Sequence, residues 1–124
     1  MIVEFKGKYP KVDPTAFVAE NATGIGDVEI GPGTNIWFHR IVRGDLNYIR
    51  IGSNCNIQDA CVLHVEKDFY PLFLEDEVVL GHRVVVHGCK IGRGSMIGQL
   101  YREYPRVKGI WMRAIREDGR YYIC

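Results

Sequence analysis

Aliphatic residues recur every six positions along most of this chain, and this spacing constrains the fold more than any other feature. The recurring residues are Ile30 and Ile36, then Ile51, Ile57 and Leu63, then Leu74, Leu80 and Val86, and finally Ile91 and Ile97. A step of six does not return to the same side of an α-helix, and a half-buried strand alternates every two residues. A triangular solenoid fits, because each hexapeptide then forms one short strand and a turn, and three of them complete a coil. We therefore predict an all-β fold, a parallel β-helix.

The extent of the repeat sets the domain organisation. Residues 1–98 are predicted to form one β-helix domain, in which the segment before Asn21 caps the upper edge of the solenoid. The hexapeptide register stops after Gly98. Residues 99–124 are therefore interpreted as a divergent tail and not as a separate domain.

A helical pattern is present within this tail. Ile110 and Trp111 are spaced from Ala114 and Ile115 as one apolar stripe of a helix, and Gly119 is suited to end it. We expect such a helix to cover the lower edge of the solenoid.

The repeat also predicts where three histidines point. Leu63 and Val86 are inward positions, so His64 and His87, each one residue later, are expected to point outward. His82 follows the inward position of its own hexapeptide by two residues and is expected at a corner. The inner positions are already filled by aliphatic residues, which argues against the usual interpretation of a histidine buried in the core.

Counting hexapeptides assigns these histidines to faces of the solenoid. Leu63 and Leu74 are eleven residues apart, one hexapeptide plus five residues, so residues 65–71 are predicted to form a loop at a corner. His64 and His87 then lie on the same face in adjacent coils, about 4.8 Å apart along the axis. His82 projects elsewhere and does not reach the same point within one chain.

A three-fold assembly would bring the three histidines together, with His64 and His87 from one subunit and His82 from its neighbour. Three neutral imidazoles that leave one position open are typical of a catalytic zinc site. The alternative at this point is three surface histidines with hydrogen bonds at an interface.

The overall charge and the cysteines limit the remaining classes. Lys and Arg number 16 against 15 for Asp and Glu, so we expect neither a nucleic-acid partner nor a membrane surface. The chain has no long apolar run and begins without an apolar leader pattern. Cys55, Cys61, Cys89 and Cys124 show no CxxC spacing and are interpreted as reduced thiols of a cytoplasmic protein.

Five short runs carry a resemblance to a known family. They are Arg43-Gly44-Asp45, Asn56-Ile57-Gln58-Asp59, Val62-Leu63-His64-Val65, Gly81-His82 and Val86-His87-Gly88-Cys89. Together they closely resemble the γ-class carbonic anhydrases over roughly residues 10 to 98. The resemblance implies a left-handed β-helix that forms homotrimers and binds zinc, or iron, with one ligand from the adjacent subunit.

The resemblance also implies roles for individual residues. His64, His82 and His87 match the metal ligands, and Gln58 matches the residue that hydrogen-bonds a metal-bound hydroxide. Arg43, Asp45 and Asp59 match the polar cluster that links subunits beside the metal. The implied activity is that of a lyase, the reversible hydration of carbon dioxide to bicarbonate. This chain has Leu46 where the prototype has an acidic residue that takes part in proton export.

Two other functions compete with this one. A non-catalytic, metal-binding trimeric scaffold is favoured by Leu46 and by the divergent tail. A hexapeptide acyltransferase would share the solenoid and the trimer, but it typically needs a single base histidine and a groove for coenzyme A. Three histidines in metal-compatible positions argue against acyl transfer.

Overall fold

The computed structural model describes residues 1–98, 114–115 and 121–122, and it shows a left-handed parallel β-solenoid of about five coils. The strands are β1 (Ile2–Val3), β2 (Lys11–Val12), β3 (Phe17–Val18), β4 (Thr23–Ile30), β5 (Asn35–Ile36), β6 (Ile41–Ile51), β7 (Asn56–Ile57), β8 (Val62–His64), β9 (Leu72–Leu74), β10 (Val79–Leu80), β11 (Val85–His87), β12 (Lys90–Ile91), β13 (Met96–Ile97), β14 (Ala114–Ile115) and β15 (Tyr121–Tyr122). The described residues include no α-helix. The predicted fold class is therefore confirmed.

Three columns of stacked strands form the faces of the solenoid. Face 1 contains β2, the second half of β4, the second half of β6, β9 and β12. Face 2 contains β3, β5, β7, β10 and β13. Face 3 contains β1, the first half of β4, the first half of β6, β8 and β11. The chain passes from face 1 through face 2 to face 3 in each coil.

The ten aliphatic residues of the repeat form the core, and each is 5% exposed or less. Stacked strands place them directly above one another, as in the register that pairs Ile51 with Leu74 and Leu63 with Val86. Each such side chain contributes about 1.5–3 kcal/mol when fully buried. The assignment of successive hexapeptides to successive faces is therefore confirmed.

The inward position four residues after each aliphatic residue carries a small donor at three corners. Thr34 Oγ1 donates to the carbonyl oxygen of Gly52 at 2.7 Å. The thiols of Cys55 and Cys61 donate in the same way to the carbonyl oxygens of Glu75 and Gly81, at 3.1 and 3.0 Å. These bonds satisfy corner carbonyls that the strand ladders do not reach.

Left-handed backbone angles make the corners sharp. At the corner between faces 2 and 3, His39, Ala60 and Arg83 lie one above another with φ of 54°, 59° and 60°. Gly88, with φ of 50°, shortens the corner between faces 3 and 1, and this explains the step of five between Val86 and Ile91. Residues other than glycine rarely adopt this backbone conformation, so the stacking of the coils must hold His39, Ala60 and Arg83 in it.

Extra residues enter the solenoid at the corner between faces 3 and 1. The predicted loop at 65–71 is present as a small hairpin closed by a bridge between Glu66 and Tyr70, although Val65 itself is buried. One coil higher, the long strand β6 turns the same corner with additional residues that the sequence did not reveal. Asn47 Nδ2 joins the two segments by donating to the carbonyl oxygen of Glu66 at 3.2 Å.

Both ends of the stack have additional strands. At the top, β1 pairs with β4, so the capping segment is shorter than predicted, because residues 11–20 already belong to the first coil. At the bottom, β14 pairs antiparallel with β12, and β15 pairs with β14. Ala114 and Ile115 thus form a strand and not part of the predicted helix, because the open edge of β12 offers backbone hydrogen bonds to a strand. The other residues of that prediction lie outside the described residues.

None of the described segments is a helix long and apolar enough to cross a membrane.

Candidate metal centre

His64 and His87 lie side by side on the outer surface of face 3. The parallel pairing of β8 with β11 places them in direct register, one coil apart. Their ring centroids are 5.1 Å apart, and the rings are inclined at 65°. The predicted outward orientation and shared face of these two histidines are therefore confirmed.

The Asp45 carboxylate and the Arg43 guanidinium contact His64 from two sides. Its Nε2 is 2.9 Å from Oδ1 of Asp45, and its Nδ1 is 3.4 Å from a guanidinium nitrogen of Arg43. Arg43 Nε also lies 3.5 Å from Oδ2 of Asp45. The side chains of His64 and Asp45 are each only 16% exposed, so their contact is well shielded from water. The three residues form one connected polar group.

The pKa of Asp45 is held below its ordinary value. Desolvation by burial acts to raise it, but the hydrogen bond with His64, the N–H of Leu46 and the positive charge of Arg43 together outweigh that effect. Asp45 is therefore an anion at neutral pH, and its carboxylate accepts a hydrogen bond from a protonated ring nitrogen of His64.

His82 lies at the corner between faces 2 and 3 with a carboxylate of its own. Its Nδ1 is 3.0 Å from Oδ2 of Asp59, and both side chains are about half exposed. The other oxygen of Asp59 accepts the backbone N–H of Phe38 at 3.3 Å. Desolvation acts to raise the pKa of Asp59, but backbone donors, Arg40 and His82 lower it overall. The pairing leaves Nε2 of His82 as the nitrogen that can bind a metal ion.

Within one chain, His82 does not join the other two histidines. Among the described residues, no three His, Cys, Asp or Glu side chains are grouped so that they could hold a metal ion together. The prediction that His82 projects from a different part of the solenoid is thus confirmed. The role of all three residues as ligands stays a prediction.

The other residues suggested by the sequence lie in two places, Gln58 beside this corner and Leu46 directly after Asp45 on β6. Gln58 directly precedes Asp59, is half-buried, and is anchored by its backbone N–H, which donates to the carbonyl oxygen of Leu80 at 2.9 Å. Leu46 follows Asp45 and is 48% exposed. The sequence analysis missed Phe38 and Arg40, which the repeat itself could have identified because both lie at fixed offsets from Ile36.

The donor set of these histidines fits a zinc or iron ion. Imidazole is a preferred ligand of both metals, and ligating histidines commonly donate their second ring nitrogen to a carboxylate. His64 pairs through Nε2 with Asp45, and His82 pairs through Nδ1 with Asp59. A metal bound by His64 would then use Nδ1, which lies 3.4 Å from Arg43 here, so Arg43 would have to move aside. A chain that supplies two imidazoles on one face and a third at another corner suits a site completed by a neighbour.

Comparisons with known proteins find relatives that are named carbonic anhydrases and a similar solved structure. A carbonic anhydrase of Geobacillus kaustophilus is 42% identical over 98 residues, which are 79% of this chain and 53% of that protein. The gamma carbonic anhydrase 1 of Arabidopsis thaliana mitochondria is 44% identical over 96 residues, 73% of this chain and 35% of that protein. A crystal structure from Bacillus cereus, described as a candidate acetyltransferase, is 42% identical and superposes with a TM-score of 0.69 over 79% of this chain and 60% of that one.

The matched region covers only part of each relative. The chain spans about half the length, or less, of these two curated relatives. No protein-family model matches the chain.

Proposed function

We propose that this chain forms a homotrimer that binds zinc between subunits and hydrates carbon dioxide reversibly to bicarbonate. The chain is a hexapeptide-repeat β-solenoid, and its similarity to the γ-class carbonic anhydrases is confirmed. The observation that carries the proposal is the division of the histidines. His64 and His87 are paired in register on face 3, whereas His82 lies at another corner with its own carboxylate. This is the arrangement expected if each site takes two ligands from one copy and one from the next.

The metal and the residues around it have separate tasks. When bound, a zinc ion would lower the pKa of a coordinated water molecule to about 7 and so supply hydroxide at neutral pH. Asp45 and Asp59 fix which nitrogen of His64 and His82 carries the proton, and they hold the rings in position. Arg43 keeps Asp45 ionised and in place. Iron is the alternative metal, since imidazole also suits it.

The chain's own residues would also position the reactants. The amide of Gln58 donates or accepts a hydrogen bond without taking up a proton, so it can orient the attacking oxygen. Exposed apolar side chains beside the histidines, such as Val85, give an uncharged gas a surface to contact. The proton that is released passes to solvent buffer. Leu46 cannot carry this proton, so we expect turnover to depend on buffer concentration.

Native mass spectrometry of the full chain is the first test. We expect a trimer that carries up to three zinc or iron ions. His82→Ala should remove the metal, whereas His39→Ala should keep it, because His39 lies at the same corner two coils higher and contacts Asn21. A stopped-flow assay of carbon dioxide hydration on the metal-loaded trimer then tests turnover. Metal binding that survives His82→Ala would refute the shared site.

A scaffold without turnover is the second candidate, and the exposed Leu46 beside the site favours it. A metal-loaded trimer with no hydration above the buffer rate would establish it. Acyl transfer is the third, and the name given to the Bacillus cereus structure is its support. Binding of coenzyme A to a metal-free protein would favour that function. A cytoplasmic location is part of the proposal, in keeping with the buried thiols of Cys55 and Cys61, which form no disulfide among the described residues.

A further inference from the structure

The outer surface of face 3 carries two parallel ladders of side chains. One is apolar and consists of Ile41, Val62 and Val85 in register. The other is polar and consists of Arg43, His64 and His87, two residues further along each strand. Ile41 is 46% exposed and Val85 is 53% exposed, so the apolar ladder is open to solvent over the same coils that present the two histidines.

The corner between faces 2 and 3 carries a matching column. Phe38, Asp59 and His82 each follow the inward residue of face 2 by two positions, so they lie one above another in successive coils. Phe38 is 41% exposed, although it is a large aromatic residue. The column therefore presents an apolar group at its upper end and a metal-binding group two coils below.

The ladders and the column have the same spacing along the axis. Ile41 lies two coils above Val85, as Phe38 lies two coils above His82, about 10 Å in each case. In a closed ring whose symmetry axis runs parallel to the solenoid, each coil stays level with the same coil of the neighbouring copy. If His82 of one copy is level with His87 of the next, Phe38 is level with Ile41.

Charge is matched between the same two surfaces. Arg43 projects downward from its coil to reach His64 and keeps a side chain that is 49% exposed. Asp59 lies in the same coil as His64, and its carboxylate is 43% exposed. The cation on face 3 and the anion at the corner therefore lie at one level, between the apolar pair and the histidines.

We propose that Phe38 of one copy packs on Ile41 of the next, and that this apolar contact holds together the interface at which His82 meets the histidines of its neighbour. The inference rests on the proposed function, since it takes a second copy as the occupant of face 3. It assigns Phe38 and Ile41 to assembly and not to the core. It also makes metal binding depend on two side chains that lie about 10 Å along the axis from His82 and His87.

The test compares three serine variants by sedimentation velocity and by zinc content. Phe38→Ser and Ile41→Ser should each raise the dissociation constant of the trimer about thirty-fold or more, as loss of a central anchor does, and zinc should be lost in parallel. Phe17→Ser is the matched control, because Phe17 is 43% exposed but lies on face 2. It should change neither property. Circular dichroism checks that each variant folds.

A charge pair tests direct contact between copies. Phe38→Lys and Ile41→Glu should each weaken assembly, and the double variant should recover most of it. A Phe38→Ser trimer as stable as the Phe17→Ser trimer, with zinc retained, would overturn the packing contact and leave the proposed function standing. A wild-type trimer without metal, which dissociates on Phe38→Ser, would instead sink the zinc site and support the contact. A wild-type monomer would refute both.

Discussion

Replacement of Arg40 by methionine is expected to stabilise the protein. Arg40 occupies the inward position four residues after Ile36, where Thr34, Cys55 and Cys61 stand at other corners. Arg40 is 1% exposed, and its three guanidinium nitrogens make no hydrogen bond of good geometry among the described residues, although the weakly accepting thiol of Cys61 faces them. Burial lowers the pKa of Arg40, while the thiol of Cys61 and the charge of Asp59 oppose that shift only in part.

The expected gain follows from the cost of such a group. An uncompensated buried charge costs about 3–5 kcal/mol, and a buried donor left unsatisfied costs about 1–3 kcal/mol. Methionine keeps the unbranched stem in the core and removes every donor. Allowing for imperfect packing of the new side chain, we expect the free energy of unfolding to rise by about 3 kcal/mol. For a chain of this length that corresponds to an increase in Tm of about 10 °C.

Urea unfolding followed by circular dichroism measures this difference, at one protein concentration and without added metal, because assembly and metal would both shift the midpoint. Arg50→Met is the matched control. The side chain of Arg50 is 29% exposed and pairs with Asp27 and Glu29, so its loss should be neutral or mildly destabilising. If Arg40→Met lowers stability by 1 kcal/mol or more, the guanidinium is satisfied in the folded protein and the reasoning fails.

Two further predictions concern charge and backbone. The pKa of Asp27 is lowered: burial opposes the shift, but bonds from two cations outweigh it. Its stabilisation is therefore present above the ordinary value of 3.8 and lost as the pH falls through the lower folded-state value, so the stability gap between wild type and Asp27→Asn should close between about pH 5 and pH 2 in urea titrations. A gap that is constant with pH would contradict this. Gly26→Ala should cost at least about 2 kcal/mol more than Gly7→Ala in the same assay. Both glycines have φ near +77°, but only at Gly26 would a Cβ lie 2.3 Å from the carbonyl oxygen of Gly44, and equal losses would show that the two coils can move apart.

The sequence predicted the inner surface of this solenoid far better than its outer one. A period of six fixes which side chains point inward, because an aliphatic residue in the wrong place would leave the core unfilled. The shared face of His64 and His87 followed from counting hexapeptides alone. The contacts of Asp45 with His64 and of Asp59 with His82 did not follow, because side chains that face solvent obey no period.

Other features escaped the pattern for local reasons. Thr34, Cys55 and Cys61 are small residues at the inward position four residues after an aliphatic one, whereas Arg40 is long and charged. A charged side chain is normally exposed, so the residue type gave no sign that Arg40 is buried. The extra residues in β6 were hidden because the strand continues through the corner without a turn signal. The tail was interpreted as helical from its apolar spacing, but at Ala114 and Ile115 the unpaired edge of β12 decides the conformation.

Two insertions into the regular coil, the extension in β6 and the hairpin at Glu66–Tyr70, fall at the corner between faces 3 and 1, directly after Arg43 and His64. A change in chain length at this corner leaves the stacking of every face intact, since the next strand resumes its place below. The segments next to the histidines can therefore lengthen, shorten or be exchanged during evolution without moving His64 or His87. The same tolerance makes this corner the natural place to graft a foreign loop and so alter what reaches the site.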